Sequence, residues 1–132
     1  MYDLTAAKAL ALWAALHLVL LLLLSGRVVR LRRRHRVAIG DAGVPELTAA
    51  QRAFGNAAEY IGPTLGGLAA LVLVNAPALL IHGVGALFFA GRVLHGYGMS
   101  QTVQPGRGRV LGMMLTYTAL IALVASLVVY LI

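Results

Sequence analysis

The sequence has no cysteine, four acidic residues and four prolines among its 132 residues. The missing cysteines exclude a disulfide framework, a thiolate metal site and a cysteine nucleophile. Charge of either sign is scarce, at 11% of residues, where a soluble domain carries about 25%. Apolar residues make up 61%, against about 45–50% in soluble domains. So few polar side chains cannot cover the surface of a soluble domain of this length. A disordered chain is excluded more firmly, because it needs low hydrophobicity. The four histidines show no HxxxH or HExxH spacing, so no metal site is expected. What is present is a mean hydropathy of +0.88 and a length suited to one domain. The reading is an all-α integral membrane protein, with the bilayer solvating its apolar exterior.

The net charge of +7 would suggest nucleic-acid binding in a soluble chain. In a membrane chain the position of the charge matters more than its sum, and no nucleic-acid partner is expected. The first apolar run, Leu4 to Gly26, is broken only by Lys8 and His17. It is long enough to cross about 30 Å of hydrocarbon as a helix. Asp3 and Lys8 precede it and an arginine block follows, which suits a retained helix better than a cleaved signal peptide. The basic stretch Arg27 to Arg36 leads into the Gly- and Pro-containing loop Ala38 to Pro45. Thr48-Ala-Ala-Gln51 fits a capping box and predicts a helix start. From Ala53 to Gly91 the only formal charge is Glu59, and Asn75-Ala-Pro77 divides that stretch. The expected helices cover about 4–26, 48–74, 77–98 and 109–132.

Loop charges test this count. Six arginines lie between Arg27 and Arg36, and Arg107 lies in the third loop with Arg92 and Arg109 nearby. The turn at Asn75 has none. The positive-inside rule places both basic loops in the cytoplasm. They share a side only if two crossings separate them, which predicts four helices with both termini on the opposite side. The arginine run itself reads as topogenic and lipid-binding. The short loops suit a bacterial inner membrane.

Arg52, Asn56 and Glu59 fall at i, i+4 and i+7, on one face of the second helix. Tyr60 follows, and Arg92, His95 and Tyr97 lie near the end of the third. An antiparallel hairpin of these two helices brings both groups to one depth as a polar belt. The structural alternative is that Arg52 and Arg92 snorkel to lipid phosphates while Glu59 serves as an ion-pair partner. His17 and His82 stand alone and read as packing or interfacial residues. Two GxxxG spacings, Gly62 to Gly66 and Gly108 to Gly112, signal close helix packing within or between subunits.

Arg52-Ala-Phe-Gly-Asn-Ala-Ala-Glu-Tyr-Ile-Gly-Pro63 resembles the RAxxNxxEYxP signature of the MAPEG family, the membrane-associated proteins in eicosanoid and glutathione metabolism. Gly43 to Leu47 and Gly91 to Gly98 are similar to the small bacterial branch. The resemblance implies a four-helix bundle assembled as a homotrimer, with glutathione bound between subunits near the cytoplasmic face. It implies that Arg52, Asn56, Glu59, Tyr60 and Tyr97 hold glutathione. Transferase members carry a catalytic arginine soon after the third helix. A gapless register from Tyr97 brings Gln104 to that place, with Arg107 the nearest loop arginine. Arg107 is therefore the expected catalytic residue, followed by Arg92. Val93 stands where a tyrosine often occurs, and Asn75 where many relatives have glutamate. Arginine suits the carboxylates of glutathione, and a nearby guanidinium lowers the pKa of its thiol.

Three functions compete. The first is a glutathione transferase or peroxidase acting on lipophilic electrophiles or hydroperoxides delivered through membrane lipids. The second is a non-catalytic protein of the same fold that binds a lipid or a partner, favoured by the missing arginine register. The third is a proton-coupled exporter using Glu59, disfavoured because that residue lies away from the expected midplane.

Overall fold

The computed structural model describes residues 4–101, 104 and 106–132. Its elements are four helices, α1 (Leu4–His35), α2 (Pro45–Leu73), α3 (Ala78–Gln101) and α4 (Arg107–Leu131). Three of them, α1, α3 and α4, are long and apolar enough to cross a membrane. The first half of α2 carries Glu46, Arg52 and Glu59, which dilutes its apolar character.

The arginine block is not a loop. α1 continues through it to His35, because arginine is a good helix former and cations at a helix C-terminus oppose the dipole. At about 1.5 Å per residue the helix is roughly 48 Å long, so its basic end extends beyond a hydrocarbon core of about 30 Å. It stops in a Schellman turn. Arg36 takes a left-handed φ of 55°, and the Val37 N–H reaches the Arg32 carbonyl at 3.0 Å. Val37 then packs against the cluster of Leu31, Leu47 and Ala50.

The expected capping box at Thr48 does not form. α2 begins at Pro45, whose fixed φ and missing N–H suit the first helical position. The Thr48 hydroxyl instead donates to Asp41 Oδ2 at 2.7 Å and Val44 O at 3.1 Å. Gln51 Nε2 donates to Gly40 O at 2.7 Å. Asp41 Oδ1 accepts from the Gly43 N–H at 3.0 Å, and Glu46 bonds His35 across the turn. The loop is thus stitched to the first turns of α2.

The α2–α3 break is a second Schellman turn. Asn75 has φ 58°, and Ala76 N–H reaches Leu71 O at 3.0 Å. Pro77 then caps α3, its carbonyl accepting from Leu80 N–H at 3.0 Å. Asparagine is among the few residues that enter this backbone region readily.

Successive helices run antiparallel, and the core forms layers along them. One end packs Ala6 and Ala9 against Leu68, Leu71, Ile81 and Leu123. The middle packs Leu24, Ala57, Ile61, Phe88 and Ala119. The basic end packs Leu31 on Leu47 and Ala50. α2 passes through all three layers beside α1 and α3. α1 and α4 lie on opposite sides of that pair, with no backbone approach between them.

The closest pair is α3 with α4. A Cβ placed on Gly91 would lie 2.9 Å from Gly112 O and Thr116 N. One placed on Gly112 would lie 2.7 Å from Gly91 O and His95 Cα. Only glycine permits this approach, so Gly112 of the second GxxxG spacing packs within the chain. Gly62 and Gly66 have nothing within 4 Å of an added Cβ.

Candidate functional site

The α2–α3 hairpin brings the two polar groups together near the basic end. Asn56 and Tyr60 are one helical turn apart and both face α3. From α3, Arg92 is 0% exposed. Its Nη2 donates to Asn56 Oδ1 at 2.9 Å and to His95 Nδ1 at 2.7 Å. Its Cζ sits 5.2 Å from the centroid of the Tyr60 ring, a cation–π distance. The Tyr60 hydroxyl lies 3.3 Å from that of Tyr117 on α4. Nε and Nη1 of Arg92 are buried with no hydrogen-bond partner. Among the described residues no carboxylate lies within 4.0 Å of this guanidinium, and both ion pairs belong to Glu46.

Beside this cluster a groove of about 430 Å³ opens between α2, α3 and α4. Its polar wall holds Arg52, Asn56, His95, Arg109 and Tyr117. Met99, Met113 and Met114 supply the apolar wall, a polarizable surface that adapts to varied apolar shapes. Among the described residues no acidic one lines it. Arg92 lies directly behind, in contact with two of the lining side chains.

Residues 10–129 match the MAPEG family. The chain belongs to this family. It is 39% identical over 116 residues to the inner membrane protein YecN of Escherichia coli strain K12, covering 88% of this chain and 87% of that protein. The protein of the same name from Escherichia coli O6:H1 strain CFT073 shows the same identity and coverage.

In this MAPEG subunit the residues singled out from the sequence divide. Arg52 and Asn56 line the groove, Arg92 stands behind it, and Tyr60 packs on Arg92. Glu59 is exposed and makes no ion pair with Arg52. It lies roughly 100° around the helix from Tyr60. Tyr97 is 68% exposed, because two residues from His95 means roughly 200° around the helix. Arg107 is the first residue of α4, exposed and outside the groove. Arg109, one helical step of two residues later, lines it instead.

Three groove residues were not assigned a role from sequence. Arg109 was legible only as a charge at a helix start. His95 stood in the polar belt, and its spacing from Arg92 was the available signal. Tyr117 carried no local signal, since only the packing of α4 beside α2 brings it to Tyr60. His17 is fully buried, its Nδ1–H donating to Trp13 O at 2.6 Å, and belongs to the packing between α1 and α3.

Proposed function

We propose that this MAPEG protein is a glutathione S-transferase or peroxidase of a bacterial inner membrane, working on lipophilic electrophiles or hydroperoxides. The observation that carries the reading is the groove itself. Two guanidiniums line it, a third lies buried behind it without a carboxylate partner, and an apolar methionine wall faces them. Glutathione brings two carboxylates and a thiol. Arg52 and Arg109 bind carboxylate or thiolate through charge-assisted bonds. Arg92 adds an uncompensated positive charge in a medium where charge acts strongly.

A free thiol has a pKa of about 8.5, so a small fraction is thiolate at neutral pH. The arginines favour the thiolate. With an electrophile, a sulfur–carbon bond forms as the leaving group departs with its electron pair. With a hydroperoxide, a sulfur–oxygen bond forms as the O–O bond breaks, and the alkoxide takes a proton to give an alcohol. The resulting sulfenic acid is reduced by a second glutathione, releasing water and glutathione disulfide. The methionine wall holds the lipophilic partner against the sulfur. Glu59 and Tyr97, exposed on one subunit, are available to a neighbour in a homotrimer. The arginines of α1 set the basic end in the cytoplasm and meet anionic lipid headgroups.

Gln104 in the expected arginine register supports a second reading, a non-catalytic MAPEG protein that binds a lipid or partner in the same groove. Absorbance of the thiolate on adding glutathione to the detergent-purified protein separates the two. Thiolate formation reduced by Arg109→Ala and Arg52→Ala but untouched by Arg107→Ala is the expected pattern. No binding and no thiolate in the wild type would overturn the enzyme reading.

A further inference from the structure

Arg92 determines what two groove side chains can offer a ligand. A guanidinium carries only donors. The nitrogen of His95 facing Arg92 Nη2 at 2.7 Å is Nδ1, so Nδ1 must accept. An imidazolium has hydrogens on both nitrogens and cannot accept. The ring is therefore neutral, with its hydrogen on Nε2. Asn56 is constrained in the same way. Its Oδ1 accepts from Arg92 at 2.9 Å, which leaves the amide NH2 as its free group.

Both side chains also line the groove. In water each could donate or accept; here the acceptor atom of each faces Arg92, and the groups left for a ligand are the His95 Nε2–H and the Asn56 NH2. Arg92 can impose this because it is wholly buried and has no carboxylate within 4.0 Å to draw it away. Arg52 and Arg109 add further donors to the same wall.

We infer that Arg92 is a positioning residue that locks His95 as its neutral Nε2–H tautomer and turns the Asn56 amide nitrogen outward, creating a donor-rich wall that favours a ligand carboxylate over a ligand ammonium. In the glutathione reading above, this carboxylate is one of that molecule's two, and only this identification rests on that reading. The lock is a property of the ligand-free protein.

The test uses protein labelled with 15N-histidine in detergent micelles, with the His95 signals assigned by their loss in His95→Gln. At neutral pH, without ligand, His95 should appear with Nε2 protonated and Nδ1 bare. Arg92→Met should give a mixture of tautomers, and Arg92→Lys, which retains a donor, should restore part of the bias. An Nδ1–H tautomer or an imidazolium in the wild type would overturn the lock. Decanoate should shift the His95 Nε2–H resonance, and decylamine at the same concentration should not. His95→Phe should weaken decanoate binding about tenfold or more, while His95→Gln, which keeps a donor, should lose less. Equal binding to wild type and His95→Phe would overturn the carboxylate assignment. A decanoate response without any glutathione response would sustain this inference and remove the enzyme proposal.

Discussion

Gly112→Ala tests the α3–α4 seam and, through it, the groove. The new methyl group would lie 2.7 Å from Gly91 O and His95 Cα, and closer still to the backbone nitrogen of His95. Ordinary contact begins near about 3.5 Å. All three atoms belong to α3 backbone, so no side chain can swing aside, and the helices must part by roughly 1 Å. A gap of about 0.5–1 Å forfeits about a quarter to a half of each contact's attraction. Core overpacking costs about 1–3 kcal/mol and occasionally more, and a backbone-against-backbone clash belongs at the top, about 3 kcal/mol. The assay is reversible unfolding in mixed micelles, followed by helical circular dichroism, with glutathione binding measured alongside because His95 moves with the seam. Gly108→Ala, whose Cβ would lie 3.6 Å from Leu94 O, is the internal control and should change stability by under about 0.5 kcal/mol. Equal stability of Gly112→Ala and wild type would refute the register of α3 on α4.

Arg92→Met removes a buried cation without a carboxylate partner. The cost of burying that charge is relieved, but Asn56 Oδ1 and His95 Nδ1 lose their donor, at about 1–3 kcal/mol each where water does not replace it; the unfolding midpoint should therefore change little while glutathione-dependent thiolate falls at least about tenfold, and unchanged thiolate formation would contradict the role given to Arg92. Asn75→Val puts a β-branched residue at φ 58° and should cost about 1–2 kcal/mol, whereas Asn75→Gly should be nearly neutral, both read from the same unfolding curves. The α1–α2 loop should loosen in acid. The Glu46 carboxyl is held below its ordinary value chiefly by the hydrogen bond from His35, with the charge of Arg34 assisting. Asp41 is held low by the Thr48 hydroxyl and then the Gly43 N–H. A depressed carboxyl contributes fully above its ordinary value and loses that contribution as pH falls through the folded value. Amide protection across residues 36–44, taken as exchange relative to the intrinsic rate at each pH, should therefore fall between about pH 5 and about pH 3, and unchanged protection would disprove the clasp.

Helix content, the number of helices and the family were legible in the sequence because each depends on composition, local order or a contiguous motif. Long apolar runs need no tertiary knowledge to be read as helices in lipid. Helix ends were less legible. Arg27 to His35 looks like a loop by charge yet is helical, since charge does not oppose helix formation at a C-terminus. The Thr48 hydroxyl has several local acceptors, and the sequence alone does not say that Asp41 wins.

The sequence by itself determined that this is a helical membrane protein with a polar motif on its second helix. Tertiary structure decided which of those polar residues share one place. Asn56 and Arg92 are far apart in the chain and meet only because the Asn75 turn folds α2 back on α3. Arg109, rather than Arg107, reaches the groove because α4 packs at glycine distance along Gly91 and His95, which sets the angle of every residue on that helix. Tyr97 and His95 differ by two positions and so point to opposite sides. Charge was visible from the start; which charges are buried, partnered or turned outward depends on helix rotation, and packing alone sets that angle.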